Sequence, residues 1–70
     1  MLLNKVKKYR IELGISQIEL SDSVGVTRQT MSLIEKGDYN PTIGLCLRIC
    51  YRLNKTLDEI FFVKKEDFIK

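Results

Sequence analysis

Histidine and tryptophan are absent from this 70-residue chain, and it carries only one proline and two cysteines. Without an imidazole, the commonest general base and the commonest zinc ligand are both missing, which excludes His-dependent hydrolases and His-containing zinc sites. No apolar run approaches the roughly 18 residues of a membrane span, and Met1-Leu2-Leu3 is too short for a signal-peptide core. Internal repeats and low-complexity segments are also lacking. Charge of one sign does not dominate: 12 Lys and Arg against 9 Asp and Glu leave a net +3. What is present is 44% hydrophobic residues, enough for one modest core and a single domain over residues 1–70. A chain this short buries only about 60% of its unfolded surface, so self-association is expected.

The two cysteines, Cys46 and Cys50, are four apart among Leu45, Leu47 and Ile49. On a helix they share one face and read as small buried hydrophobes. A metal site needs further soft ligands that one chain does not supply, and positions i and i+4 of a helix bridge poorly. The chain therefore reads as a reduced, cytoplasmic protein with no metal, no cofactor and no evident small-molecule ligand.

Punctuation divides the sequence into five short helices, an all-α fold. Residues 5–13 place Val6, Tyr9 and Leu13 on one face, with Asn4 as cap and Gly14 as stop. Ser16-Gln17-Ile18-Glu19 has the form of a capping box, so a second helix starts there and ends before Gly25. Thr27 caps a third, with Met31 and Ile34 on one side and Gly37 closing it. After the turn Asp38-Tyr39-Asn40-Pro41, Thr42 caps a fourth helix running to about Leu53. That helix is apolar at 43, 45, 46, 47, 49, 50 and 53, which predicts a central core position with a narrow wet stripe at Gly44, Arg48 and Arg52. Thr56-Leu57-Asp58-Glu59 is a second capping box, opening a fifth helix through about Phe61. The segments Leu2–Asn4 and Phe61–Val63 either pair as a small ribbon or pack as coil. The tail reads as solvated, although Phe68 and Ile69 are apolar.

Residues 17–36, QIELSDSVGVTRQTMSLIEK, carry the functional signal. Leu20, Val24, Val26, Met31 and Ile34 are apolar where two helices share a core, and Ser21 is small where they approach. Gly25 stands where a left-handed turn costs other residues about 1–2 kcal/mol. This is helix-turn-helix geometry, in which the second helix projects its N-terminal end away from the body. That end presents Thr27, Arg28, Gln29, Thr30 and Ser32. Arg suits guanine O6 and N7 and Gln suits adenine N6 and N7, each pair discriminating by about 1–3 kcal/mol. No acidic side chain lies between Asp22 and Glu35 to repel phosphate. Taken alone, Arg28 and Gln29 would be an ordinary solvated face; set in the five-helix frame they predict base contact.

Here the chain resembles the Cro/cI-type (Xre-like) helix-turn-helix regulators, through LGISQIEL, the G-V-T-R-Q-T turn, IEKG and Y-N-P-T, across residues 4–61. Within the family it is most similar to small stand-alone dimeric repressors. The resemblance implies a five-helix, lambda-repressor-like DNA-binding domain, with a two-stranded antiparallel ribbon joining the termini. Ser21, Cys46 and Cys50 replace the family's frequent Ala, conserving small size. Residue by residue, Arg28, Gln29 and Ser32 match base-reading positions. Leu33 either meets a thymine methyl or only packs. Gln17 matches a backbone contact at a helix N-terminus, where donors suit phosphate; Thr27 and Thr30 are assigned beside it. Lys36, Tyr39 and Asn40 match the loop that follows the DNA backbone, and the Asn40 amide also suits a base. Arg10 and Glu35 match an ion pair fixing the recognition helix to the first helix, with a free surface arginine as the plainer alternative.

By segment, residues 1–13 carry +3 while residues 14–37 carry −1, so phosphate attraction must come from a few placed groups. Two units on a two-fold axis would read half-sites roughly 34 Å apart. Leu57, Ile60, Phe61 and Phe62 are too many for one short helix to bury, predicting a homodimer through about residues 55–63, with Ile11 or Phe68 as contributors. The expected function is repression of transcription from a palindromic operator in double-stranded DNA. An antitoxin or protein-interaction module on the same scaffold is the alternative. No acid, base and nucleophile cluster points to an enzyme; Asp58 and Glu59 are explained by capping and the helix dipole.

Overall fold

The computed structural model describes residues 3–63. In chain order it runs β1 (Leu3–Asn4), α1 (Val6–Glu12), α2 (Gln17–Val24), α3 (Arg28–Lys36), α4 (Ile43–Leu53), α5 (Leu57–Ile60) and β2 (Phe61–Phe62). Each helix begins where a side chain can satisfy its orphan N–H groups. Ser16 Oγ accepts from Glu19 N–H while Glu19 Oε1 accepts from Ser16 N–H, closing the predicted box. Thr27 and Thr42 accept from Thr30 and Leu45 N–H. At α5, Glu59 Oε1 accepts from Thr56 N–H at 2.8 Å, and this bond holds the Glu59 carboxyl below the ordinary carboxylate range. Asn4 caps α1 from one residue further out than expected: its Oδ1 accepts from Val6 N–H, while its Nδ2 donates to Ile34 O across the domain.

Helix ends follow the same local logic. Gly25 and Gly37 take left-handed backbone at φ 80° and 81°, and Asn54 does so after α4 at φ 56°. Asp38 N–H reaches back to Leu33 O, and Lys55 N–H to Cys50 O, so the last carbonyls of α3 and α4 are paired.

The core is built by Val6, Leu20, Val24, Met31, Ile34, Leu45, Ile49, Leu53 and Ile60, with Cys46, Cys50 and Phe61. Burial of each large aliphatic contributes about 1.5–3 kcal/mol. Ser21 is buried among them, and its hydroxyl donates to Gln17 O at 2.6 Å, so the polar atom is satisfied. Burial also pushes both thiols up from their ordinary pKa. β1 pairs antiparallel with β2, Leu3 opposite Phe62 and Asn4 opposite Phe61, which brings the two ends of the described chain together.

Four expectations need correction. Helix α1 runs over Val6–Glu12 instead of residues 5–13, which leaves Leu13 as its C-cap, half exposed. Ile43 and Leu47 do not join the core: packing against α1, α2 and α5 covers the stripe of 45, 46, 49, 50 and 53 and leaves theirs in solvent. Helix α5 stops at Ile60, and Phe61 enters the ribbon. Ile60 and Phe61 are consequently not an exposed surface, since strand alternation turns Phe61 inward and Phe62 outward. Leu57 and Phe62 stay over a third exposed. Leu2 and Phe68 lie outside the described residues.

Candidate nucleic-acid interface

The placement of α3 follows from its two buried side chains. Met31 and Ile34 face the core, so positions 28, 29, 32, 33 and 36 turn toward solvent or toward the flank of α1 and α2. The tight turn before it depends on Gly25, around which a Cβ would meet nothing within 4 Å. Glycine is therefore required there by backbone conformation and not by crowding.

Arg28 and Gln29 are exposed at the leading end of α3. A cleft beside them is lined by Gln17, Arg28, Gln29 and Ser32. A larger one of 410 Å³ adjoins it, lined by Lys7, Arg10, Gln17, Arg28, Ser32, Glu35 and Lys36. The N-terminus of α2 and the first half of α3 thus converge on one concave polar surface. Thr27 and Thr30 line neither cleft; their hydroxyls are bonded to each other at 3.0 Å, and the Thr27 oxygen is occupied by capping. Tyr39 and Asn40 are exposed in the turn that follows α3, and Leu33 is 42% exposed; neither cleft includes these three.

One acidic group, Glu35, lines the larger cleft, and it is paired. Arg10 Nε donates to Glu35 Oε2 at 2.8 Å, with the Glu35 side chain 4% exposed. Arg10 Nη1 also donates to Ile15 O at 3.0 Å, and Gln17 Nε2 donates to Glu35 Oε1 at 3.1 Å. Glu35 therefore ties α1, the start of α2 and the end of α3 together without presenting free negative charge. Gln17 is more constrained than its sequence position indicated: one amide hydrogen serves Glu35, and the other, with its carbonyl, remains available.

Lys7 is the residue that sequence reasoning missed. It lies about one helical turn before Arg10 and lines the same cleft as Arg10 and Lys36. The i, i+3 spacing to Arg10 was a usable signal.

Two short helices in this arrangement, with an uncovered polar leading end on the second, define a helix-turn-helix domain. The pattern of the Helix-turn-helix family (HTH_3) matches residues 6–60, and the chain belongs to that family, in its Cro/cI-type (Xre-like) branch of regulators. It is 45% identical over 64 residues to YgzD, an uncharacterized HTH-type transcriptional regulator of Bacillus subtilis, covering 91% of this chain and 97% of that one. The N-terminal DNA-binding domain of SinR from Bacillus subtilis superposes with a TM-score of 0.70 at 31% identity, over 77% of this chain and 80% of that one. A crystal structure from Bacteroides fragilis shares the fold at a TM-score of 0.80 and 19% identity, over 89% of this chain and all of its own.

Proposed function

We propose that the chain is a sequence-specific DNA-binding regulator, acting as a single cytoplasmic domain that represses transcription by occupying a palindromic operator as a homodimer. The observation that carries this reading is the exposure of Arg28 and Gln29 on a concave surface shared with Gln17 and Ser32. Arg28, Gln29 and Ser32 read base edges in the major groove, with Leu33 and Asn40 at its margin. Gln17, Thr27, Thr30, Lys36 and Tyr39 follow the phosphates, joined by Lys7. The internal pairing of Glu35 removes the repulsion its carboxylate would otherwise exert on a phosphate chain.

Selection of bound duplexes from a random pool tests all parts together. The expected product is a palindrome whose half-sites lie one helical turn apart, about 34 Å. A protein-interaction module would enrich no sequence and would bind its partner without salt-sensitive duplex affinity. Failure to enrich any duplex refutes the proposal.

A further inference from the structure

Helix α4 carries an uncovered apolar row. Ile43, Leu47 and Tyr51, spaced i, i+4, i+8, are 64%, 52% and 89% exposed. Leu47 and Tyr51 also line a shallow groove with Ser23, Arg48 and Arg52, and Arg48 is anchored by its Nε bond to Val24 O at 3.1 Å. We propose that this row is where a second copy of the chain docks, in a two-fold contact centred on Leu47. The inference rests on the homodimer reading above and supplies the surface that reading lacks.

Supply and demand of apolar area make the case. A stable interface buries about 800 Å² on each partner. The segment expected to provide it has turned Ile60 and Phe61 inward, leaving Leu57, Phe62 and Val63, each less than half exposed. All three residues of the α4 row are more than half exposed, and the largest exposed apolar patch of a small protein, roughly 300–600 Å² on a typical monomer, is often its functional surface. A two-fold contact uses the same row from both copies, so one apolar stripe covers another without needing a separate complementary surface. Helix α4 contains no acidic side chain, and its arginines lie beside the row at the rim. Tyr51 at the end of the row fits an interface margin, with its ring covered and its hydroxyl wet.

Sedimentation velocity from micromolar to hundred-micromolar concentration tests this. The wild-type chain is expected to dimerise. Leu47→Glu and Tyr51→Glu, both at solvent-facing positions, are expected to keep wild-type helicity by circular dichroism and to weaken the dimer by at least about 30-fold. Phe62→Ser is expected to weaken it less than about fivefold. A monomeric wild type, or a Leu47→Glu dimer as tight as wild type, overturns the proposal. The two readings fail separately. A selected palindrome shifted by wild type, with Leu47→Glu still dimeric, defeats the surface alone. A wild-type dimer lost in Leu47→Glu, with no duplex affinity, defeats DNA recognition alone.

Discussion

Replacing Arg10 with Met removes the cation and keeps most of the side chain's bulk. Glu35, with a side chain 4% exposed, is then left with one donor, Gln17 Nε2, in place of three. Stranding one partner of a buried pair costs about 3–5 kcal/mol. The surviving Gln17 bond places this case at the lower end, near 3 kcal/mol. A 70-residue domain has about 3.5–10 kcal/mol in total at 0.05–0.15 kcal/mol per residue, so the loss is roughly 30% or more of stability. With a urea slope near 1 kcal/mol/M, the midpoint falls by about 3 M. The assay is urea unfolding followed by circular dichroism at fixed protomer concentration, because the proposed dimer would make stability concentration-dependent. Arg10→Met/Glu35→Leu should recover to within about 1 kcal/mol of wild type, since no charge is left unpaired. An Arg10→Met cost below about 0.5 kcal/mol would show that Glu35 is effectively solvated. A double variant no more stable than Arg10→Met would refute the argument from the other side.

The remaining predictions concern the turn, the groove, the thiols and the cap of α5. Gly25→Ala forces a side chain into left-handed backbone with no clash to relieve, and should lower stability by about 1–2 kcal/mol in thermal melts. Arg28→Ala should relax discrimination at one base pair by about 1–3 kcal/mol, whereas Lys7→Gln and Lys36→Ala should weaken all sequences alike and reduce the salt slope by about 1 each; mobility shifts in which all three behave alike would contradict this division. Cys46 and Cys50, their thiols pushed up by burial, should resist alkylation at neutral pH until denaturant opens the core. Glu59 is held below the ordinary carboxylate range chiefly by Thr56 N–H, so its contribution is present above that range and lost as pH falls through the depressed value. Glu59→Gln should therefore flatten the acid limb of the stability profile measured by thermal melts.

Much of the fold was legible because its signals are local. Ser16, Thr27 and Thr42 cap helices through side-chain bonds three residues away, and Gly25 and Gly37 end them through backbone conformation that neighbours need not enforce. The outer face of α4 was not legible in this way. Its sequence is apolar on two adjoining stripes, and which stripe is covered depends on where α2 and α5 lie. Ile60 and Phe61 raised the converse problem: counting apolar side chains on a short helix cannot reveal that a ribbon folds them back onto the core. In the candidate site, the types and spacing of Arg28, Gln29 and Ser32 were readable from the turn chemistry before them. Lys7 was signalled only by its i, i+3 spacing to Arg10, which does not by itself show that α1 flanks the site. The Gln17–Glu35 bond likewise joins residues 18 positions apart.

The central claim is that the leading end of α3 enters a duplex groove. Amide and side-chain chemical shifts of the isotopically labelled protein, followed while a selected palindromic duplex is added, test it most directly. The account predicts that the largest changes, with protein-to-base contacts, fall on Gln17, Arg28, Gln29 and Ser32, with smaller ones at Lys7 and Lys36. Changes confined to α4 and the ribbon, with Arg28 and Gln29 unmoved at saturation, would contradict it.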